Sequence, residues 1–155
     1  MKIYIDADAC PVVGQTESIA GRYGIPVVLL CDTNHVISSS SSEVVIVGAG
    51  SDAVDFELVN RCKKGDIVVT QDYGLASMAL GRGAYPIHQS GMWYTEENID
   101  SLLAQRHINR TARRRSGKSH LKGPAKRTAG DNNRYEASLI NLIESVKHKN
   151  EDSDP

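Results

Sequence analysis

The chain has 155 residues, 40% of them hydrophobic and 24% charged, and a net charge of −1. That is the composition of an ordinary globular domain with room for a real core, and no apolar run is long enough to span a bilayer. Cys10, Cys31 and Cys62 are an odd number without a Cys-x-x-Cys pair, which argues against a disulfide framework or a zinc ribbon. The start of the chain carries no signal-peptide pattern, so the expected location is the cytoplasm.

Lys2–Ile5 reads as a short buried strand that runs into Asp6-Ala7-Asp8. Val12–Tyr23 reads as a helix closed by Gly24, with Asp8 or Ala9 as a candidate cap ahead of Pro11. Val27–Leu30 is a second strand, and Ser38–Ser42 reads as a flexible loop. Val44–Val47 is a third strand. Ser51 then caps a helix from Asp52 to about Lys64. Ile67–Val69 is a fourth strand leading into Thr70-Gln71-Asp72, followed by a helix from Leu75 to Leu80. Tyr85–Ile87 is a short fifth strand. Thr95 caps a helix with an acidic first turn that runs to about Arg114. Residues 116–131 read as a mobile basic segment. Asn133 with Glu136 reads as a capping box for a last helix ending near Val146, with a frayed tail beyond it. Strands alternating with helices predict an α/β protein: three layers, α/β/α, around a mostly parallel sheet of four to five strands. The division expected is an α/β domain over 1–115, and a basic loop plus C-terminal helix over 116–155 packed on it or extending from it.

Charge is unevenly spread. Residues 1–104 sum to −7, residues 105–134 to +9 and residues 135–155 to −3. An acidic domain therefore bears a basic segment, which bears on its partners more than the net charge does.

In a parallel sheet the strand ends and following helix starts collect on one edge, where ligands bind. Asp6 and Asp8 follow the first strand, Asp52 and Asp55 open the helix after the third, and Asp72 follows the fourth. Clustered carboxylates repel each other and suit Mg2+ or Mn2+, which prefer oxygen ligands. Such ions activate water and stabilise charge developing on a phosphodiester. Asp52 can equally serve the helix dipole. Asp66 reads as a turn residue at the opposite edge. The Thr70 hydroxyl can orient a carboxylate or a water, or Thr70 can simply end a strand.

The second constellation is basic. Arg106, Arg110 and Arg113 or Arg114 recur at spacings of three and four, with Arg115 beside them, and Lys118, Lys122, Lys126 and Arg127 follow. The stripe suits a phosphate backbone, and a solvated helix end is the plainer alternative. Three motifs compete with these readings. Gly48-Ala49-Gly50-Ser51-Asp52-Ala53 fits a dinucleotide fingerprint, but its acids would repel a pyrophosphate. Asp6-x-Asp8 resembles the nucleophile motif of haloacid-dehalogenase-type phosphatases, with Asp6 as the phosphorylated residue. Cys10 at a helix start could be a nucleophile, though packing or capping accounts for it as well. His35, His88, His107 and His120 show no ligand spacing and read as surface residues.

Asp6-Ala7-Asp8-Ala9-Cys10-Pro11, Gly50-Ser51-Asp52-Ala53-Val54-Asp55, Gly65-Asp66-Ile67-Val68-Val69-Thr70-Gln71-Asp72, Gly123-Pro124 and Asp131-Asn132-Asn133-Arg134-Tyr135 together resemble the bacterial YaiI/YqxD family. That family is similar to PIN domains, metal-dependent nucleases of α/β/α build. The resemblance implies catalytic acids at Asp6, Asp55 (or Asp52) and Asp72. Two departures from the PIN pattern are Asp8, where Thr or Ser is usual, and Asp in place of Glu at the central position. The expectation is a nuclease that uses Mg2+ or Mn2+, held by Asp6, Asp55 and Asp72 with Asp8 or Asp52 as an additional or outer ligand. Its substrate would be nucleic acid, RNA ahead of DNA, held by the Arg106–Arg127 segment. The alternatives are a non-catalytic nucleic-acid-binding protein and the phosphatase. No membrane partner is expected, and the oligomeric state is left open.

Overall fold

The computed structural model describes residues 1–34, 37–48, 51–116 and 125–153. Five strands, β1 (Ile3–Asp6), β2 (Val27–Asp32), β3 (Glu43–Val47), β4 (Ile67–Val69) and β5 (Tyr85–Ile87), form one all-parallel sheet. Their order is β3-β2-β1-β4-β5. Chain order reverses between β1 and β4, so the switch point lies beside the carboxyl end of β1. Crevices for ligands open there in doubly wound sheets.

Alternation along the strands builds the layers. Ile3, Ile5, Val27, Leu29, Ile67 and Val69 face one side and pack against α1 (Val13–Tyr23) and α5 (Ala129–Ser153). Tyr4, Val28, Leu30 and Val68 face the other and pack against α2 (Ser51–Arg61) and α3 (Tyr73–Gly81). Parallel strands covered on both faces read as continuous apolar runs, which is why Val27–Leu30 shows no polar alternation. A smaller cluster of Ala76, Tyr94, Ile99, Leu102 and Leu103 seats α4 (Ile99–Ser116) on α3. The expected three-layer α/β/α architecture is the one observed.

Several boundaries differ from the sequence reading, each for a local reason. Asp8 is not the cap of α1. The ladder of β1 continues through Ala7, whose N–H donates to the Leu30 carbonyl, and Ala9 then turns the chain at φ 56°. The helix begins only at Val13, with Val12 as an N-cap that lends no side-chain bond. Helix α2 stops at Arg61, short of Lys64. Gly65 takes φ 90°, and the buried Asp66 carboxylate accepts the N–H groups of Lys63 and Lys2, which ties the turn before β4. Helix α3 starts at Tyr73 because Asp72 caps it. Helix α5 starts at Ala129, and its reciprocal box is Thr128 with Asp131 rather than Asn133 with Glu136. It also runs to Ser153, so most of the tail read as frayed is helical. Residues 117–124 of the segment read as mobile lie outside the described residues.

The C-terminal segment shares the domain core. Tyr135, Leu139, Leu142, Ile143 and Val146 of α5 are buried with β1 and α1. The Tyr135 hydroxyl is 2.7 Å from Thr16 Oγ1, and Trp93 Nε1 donates to Ser138 at 2.9 Å. Gly91, at φ 95°, permits this approach, since a Cβ there would meet Ser138 at 3.0 Å and the Arg134 carbonyl at 3.1 Å. The serine run forms no helix or strand. The hydroxyls of Ser39, Ser41 and Ser42 all donate to Glu17, tying that loop to α1.

Candidate functional site at the switch point

A cleft of about 580 Å³ opens at the carboxyl ends of β1 and β4. Asp6, Asp8, Asp55, Gln71, Asp72 and Tyr73 line one wall, and Leu102, Gln105, Arg106, Asn109 and Arg110 line the other. The second wall is one face of α4, since positions 102, 105, 106, 109 and 110 recur at helical spacing. Acids from β1, α2 and the β4–α3 turn thus meet across 66 residues of sequence, facing a wall of amides and arginines.

Thr70 organises the acids. It is buried at 3% exposure, and its hydroxyl donates to Asp6 Oδ2 at 3.1 Å while accepting the Asp72 N–H at 3.0 Å. One hydroxyl therefore fixes both the β1 carboxylate and the backbone of the β4–α3 turn. Asp72 Oδ1 accepts from the N–H groups of Gly74 and Leu75 and pairs with Arg106 at 3.3 Å. A Cβ at Gly74 would lie 3.2 Å from that oxygen, so glycine leaves room for the carboxylate over the helix start. All three of these contacts fall on Oδ1.

Burial and the neighbouring carboxylates raise the affinity of Asp6 and Asp55 for protons. The Asp6 carboxyl is pushed up to about 6, first by burial and then by Asp8 and Asp72, against the opposing bond from Thr70. Asp55 is pushed up to about 7 by burial and then by Asp72, Asp6 and Asp52, with Arg106 pulling the other way. The acids feel one another through the cleft. Among the described residues, however, no three His, Cys, Asp or Glu side chains close into a ready-made cation cage. The carboxylates of Asp6, Asp8, Asp55 and Asp72 offer oxygen only, with no His or Cys beside them among the described residues, which is the donor chemistry that Mg2+ or Mn2+ prefers.

The remaining candidates separate. Asp52 is exposed in the first turn of α2, off the cleft lining, and acts on Asp55 through its charge. Arg106 and Arg110 reach the cleft. Arg113 and Arg114 continue α4, but their side chains lie outside the described part, as do Lys118 and Lys122. Lys126 is exposed ahead of α5. Arg127 is not on the stripe, because its guanidinium donates to the Gln89 carbonyl at 2.8 Å and to Asn132 at 2.6 Å, anchoring the start of α5. Cys10 packs against the core, and burial pushes its thiol up rather than down, so it lacks the lowered pKa that a nucleophile needs. His88 is half-buried with its ring bonded to Ser90, whereas His107 is exposed; His35 and His120 lie outside the described residues, as does part of the glycine fingerprint. A haloacid-dehalogenase-type site needs a lysine, and among the described residues none lines the cleft.

Tyr73, Gln105 and Asn109 are cleft residues that the sequence reading passed over. The signal for the two amides was present, since they share the 3–4 spacing of the arginine stripe.

Fold and cleft together define a doubly wound α/β protein with an acid-lined crevice at its switch point. Residues 4–145 match the family described as "Uncharacterized BCR, YaiI/YqxD family", and the chain belongs to that family. It is 60% identical over 143 residues to a UPF0178 protein of Clostridium acetobutylicum, covering 92% of this chain and 97% of that one. UPF0178 proteins of Natranaerobius thermophilus and Lachnoclostridium phytofermentans are 48% and 46% identical over 147 residues, each 99% covered, across 95% and 94% of this chain. No solved structure matches the chain at a significant level. No helix among the described residues is long and apolar enough to cross a membrane.

Proposed function

We propose that the protein hydrolyses phosphodiester bonds of nucleic acid with the help of Mg2+ or Mn2+, as PIN-like nucleases do. The observation that carries this reading is the convergence of Asp6, Asp8, Asp55 and Asp72 on one cleft, opposite Arg106 and Arg110. Asp6, Asp55 and Asp72 would hold the cation, with Asp8 as an additional or outer ligand. When bound, the ion supplies an activated water and charge stabilisation at the phosphoryl group. The protein's own part is positional. Thr70 holds Asp6 in place, and Asp72 is fixed by the start of α3. Arg106 is shared between Asp72 and the cleft, so it can draw a substrate phosphate toward the acids, and Arg110 lengthens that track. Cytoplasmic RNA is the substrate we favour over DNA.

A second reading has one observation in its favour. The absence of a closed cage among the described residues suits a binding module that holds a backbone with Arg106 and Arg110 and needs no metal. Cleavage in Mn2+ separates the two.

Under either reading the arginine wall has a measurable signature. Each phosphate contact on a single strand contributes roughly −0.7 to the slope of log affinity against log salt. Arg110→Ala is expected to make that slope shallower by about 0.7 and to weaken all sequences alike. Fluorescence anisotropy with a labelled RNA octamer between low and physiological salt measures it. An unchanged slope would remove Arg110 from the backbone track.

A further inference from the structure

Resting on the nucleic-acid reading of the cleft, we propose that Tyr73, Gln105 and Asn109 form a nucleobase subsite beside the acids, so that the cleft takes an unpaired strand with a base stacked on Tyr73. Tyr73 lines the cleft immediately after the capping Asp72. Its ring packs edge-on against Tyr94, with centroids 5.9 Å apart and planes at 64°. Tyr94 is buried, and its hydroxyl donates to the Thr70 carbonyl at 3.1 Å. The residue that positions Asp6 and Asp72 thereby also props the aromatic ring, and a stacking platform is held in register with the acids.

The opposite wall supplies the polar complement. Gln105 Nε2 donates to Asn109 Oδ1 at 3.1 Å, one helical turn away. That bond aligns the two amides, and each carries both donor and acceptor atoms, more than this one bond uses. An uncharged donor–acceptor pair opposite an aromatic ring suits the edge and face of a base and adds nothing for a phosphate, which Arg106 and Arg110 already address. Single strands are recognised in this way, through unstacked bases laid on aromatic side chains with their pairing edges hydrogen-bonded. A duplex presents neither the face nor that edge. The cleft volume of about 580 Å³ suits a ligand of nucleotide size.

The test is binding by the full-length chain, read by anisotropy in Ca2+ to keep the strand intact. The probes are a labelled RNA octamer, the same strand made abasic at its central positions, and the octamer in duplex form. Stacking of one base is worth about tenfold in affinity. Wild type is therefore expected to favour the intact strand over the abasic one by about that factor, and to bind the duplex more weakly than the intact strand. Tyr73→Ala should lose the intact-to-abasic ratio and melt lower, since it also gives up the contact with Tyr94, whereas Tyr73→Phe should keep both the ratio and the wild-type melting temperature. The double change Gln105→Ala with Asn109→Ala should narrow the differences among homopolymer octamers. Equal ratios in wild type and Tyr73→Ala, or equal binding of duplex and single strand, would overturn the subsite. A protein that cleaves in Mn2+ yet shows equal ratios loses the subsite and keeps the nuclease. A protein that shows the ratio and its loss in Tyr73→Ala without cleaving keeps the subsite and loses the nuclease.

Discussion

Asp55→Asn is expected to stabilise the cation-free protein at pH 7.5 while removing its response to Mn2+. The carboxyl of Asp55 sits at about 7 in the fold, raised by burial and by Asp72, Asp6 and Asp52. Its unfolded value is about 3.9. The folded state therefore holds the proton more tightly. The resulting stabilisation is complete below pH ~4 and is lost as pH rises through about 7, so near neutrality the ionised group is held against burial and repulsion. Asp55 is only half-buried, so solvent screening reduces the effect to about 1–2 kcal/mol. In a domain of this size that is about 3–6 °C in melting temperature. Thermal unfolding in EDTA at pH 5 and pH 8 checks it: the gain should appear at pH 8 and shrink at pH 5. The coupling of Asp55 to Asp6 makes the combined gain of both asparagine changes less than the sum of the singles. A melting temperature that does not depend on residue 55 at pH 8 would mean the acids are not held in mutual repulsion.

Tyr135→Ala is expected to cost about 3–5 kcal/mol, the range for emptying a buried aromatic site, and to abolish cooperative folding at 37 °C in a marginally stable domain. Tyr135 is fully buried among β1, α1 and α5 residues, and burial pushes its phenol pKa well up. Its hydroxyl meets Thr16 Oγ1, which also donates to the Val12 carbonyl at 2.7 Å. Tyr135→Phe keeps the volume and leaves Thr16 one partner, so it should cost only about 1 kcal/mol. Urea unfolding followed by circular dichroism distinguishes the two. A mild Tyr135→Ala would mean that α5 is an appendage, as the sequence left open, and not part of the core.

The legible part of this fold was the apolar strand ending in an acid. Ile3–Ile5 into Asp6 and Ile67–Val69 into Asp72 each marked a buried strand and a carboxylate at its exit. A parallel sheet has no choice but to gather such exits on one edge. The topological position of the cleft was not legible, because strand order depends on which side of β1 the later strands add. Helix limits were missed where one side chain decides them. Asp72 capping α3 and Asp66 closing the turn after α2 act through bonds to backbone N–H groups that hydrophobic periodicity does not register. Ala9 in the left-handed region could not be foreseen from alanine, which gives no cue for positive φ. Arg127 looked like more of the basic stripe by charge alone, yet its Nε donates to Asn132 and its Nη2 to the Gln89 carbonyl. Gln105 and Asn109 share the spacing of the arginine stripe, but without charge that spacing reads as a solvated face until the helix is laid across a cleft.

Under the proposed function, the acids at the switch point would hold a cation with whose help the protein hydrolyses nucleic acid. The most direct measurement is Mn2+-dependent cleavage of a labelled single-stranded RNA by wild type and Asp6→Asn, resolved on a gel and repeated in EDTA. Asp6 is chosen because it stands at the carboxyl end of β1, beside the switch point, where the Thr70 hydroxyl donates to it. Wild type is expected to cleave only with Mn2+, and Asp6→Asn to cleave about 100-fold more slowly or slower still, on the order of what the loss of one transition-state contact costs. RNA left intact by wild type in Mn2+, or cut equally by both proteins, would contradict the proposed function.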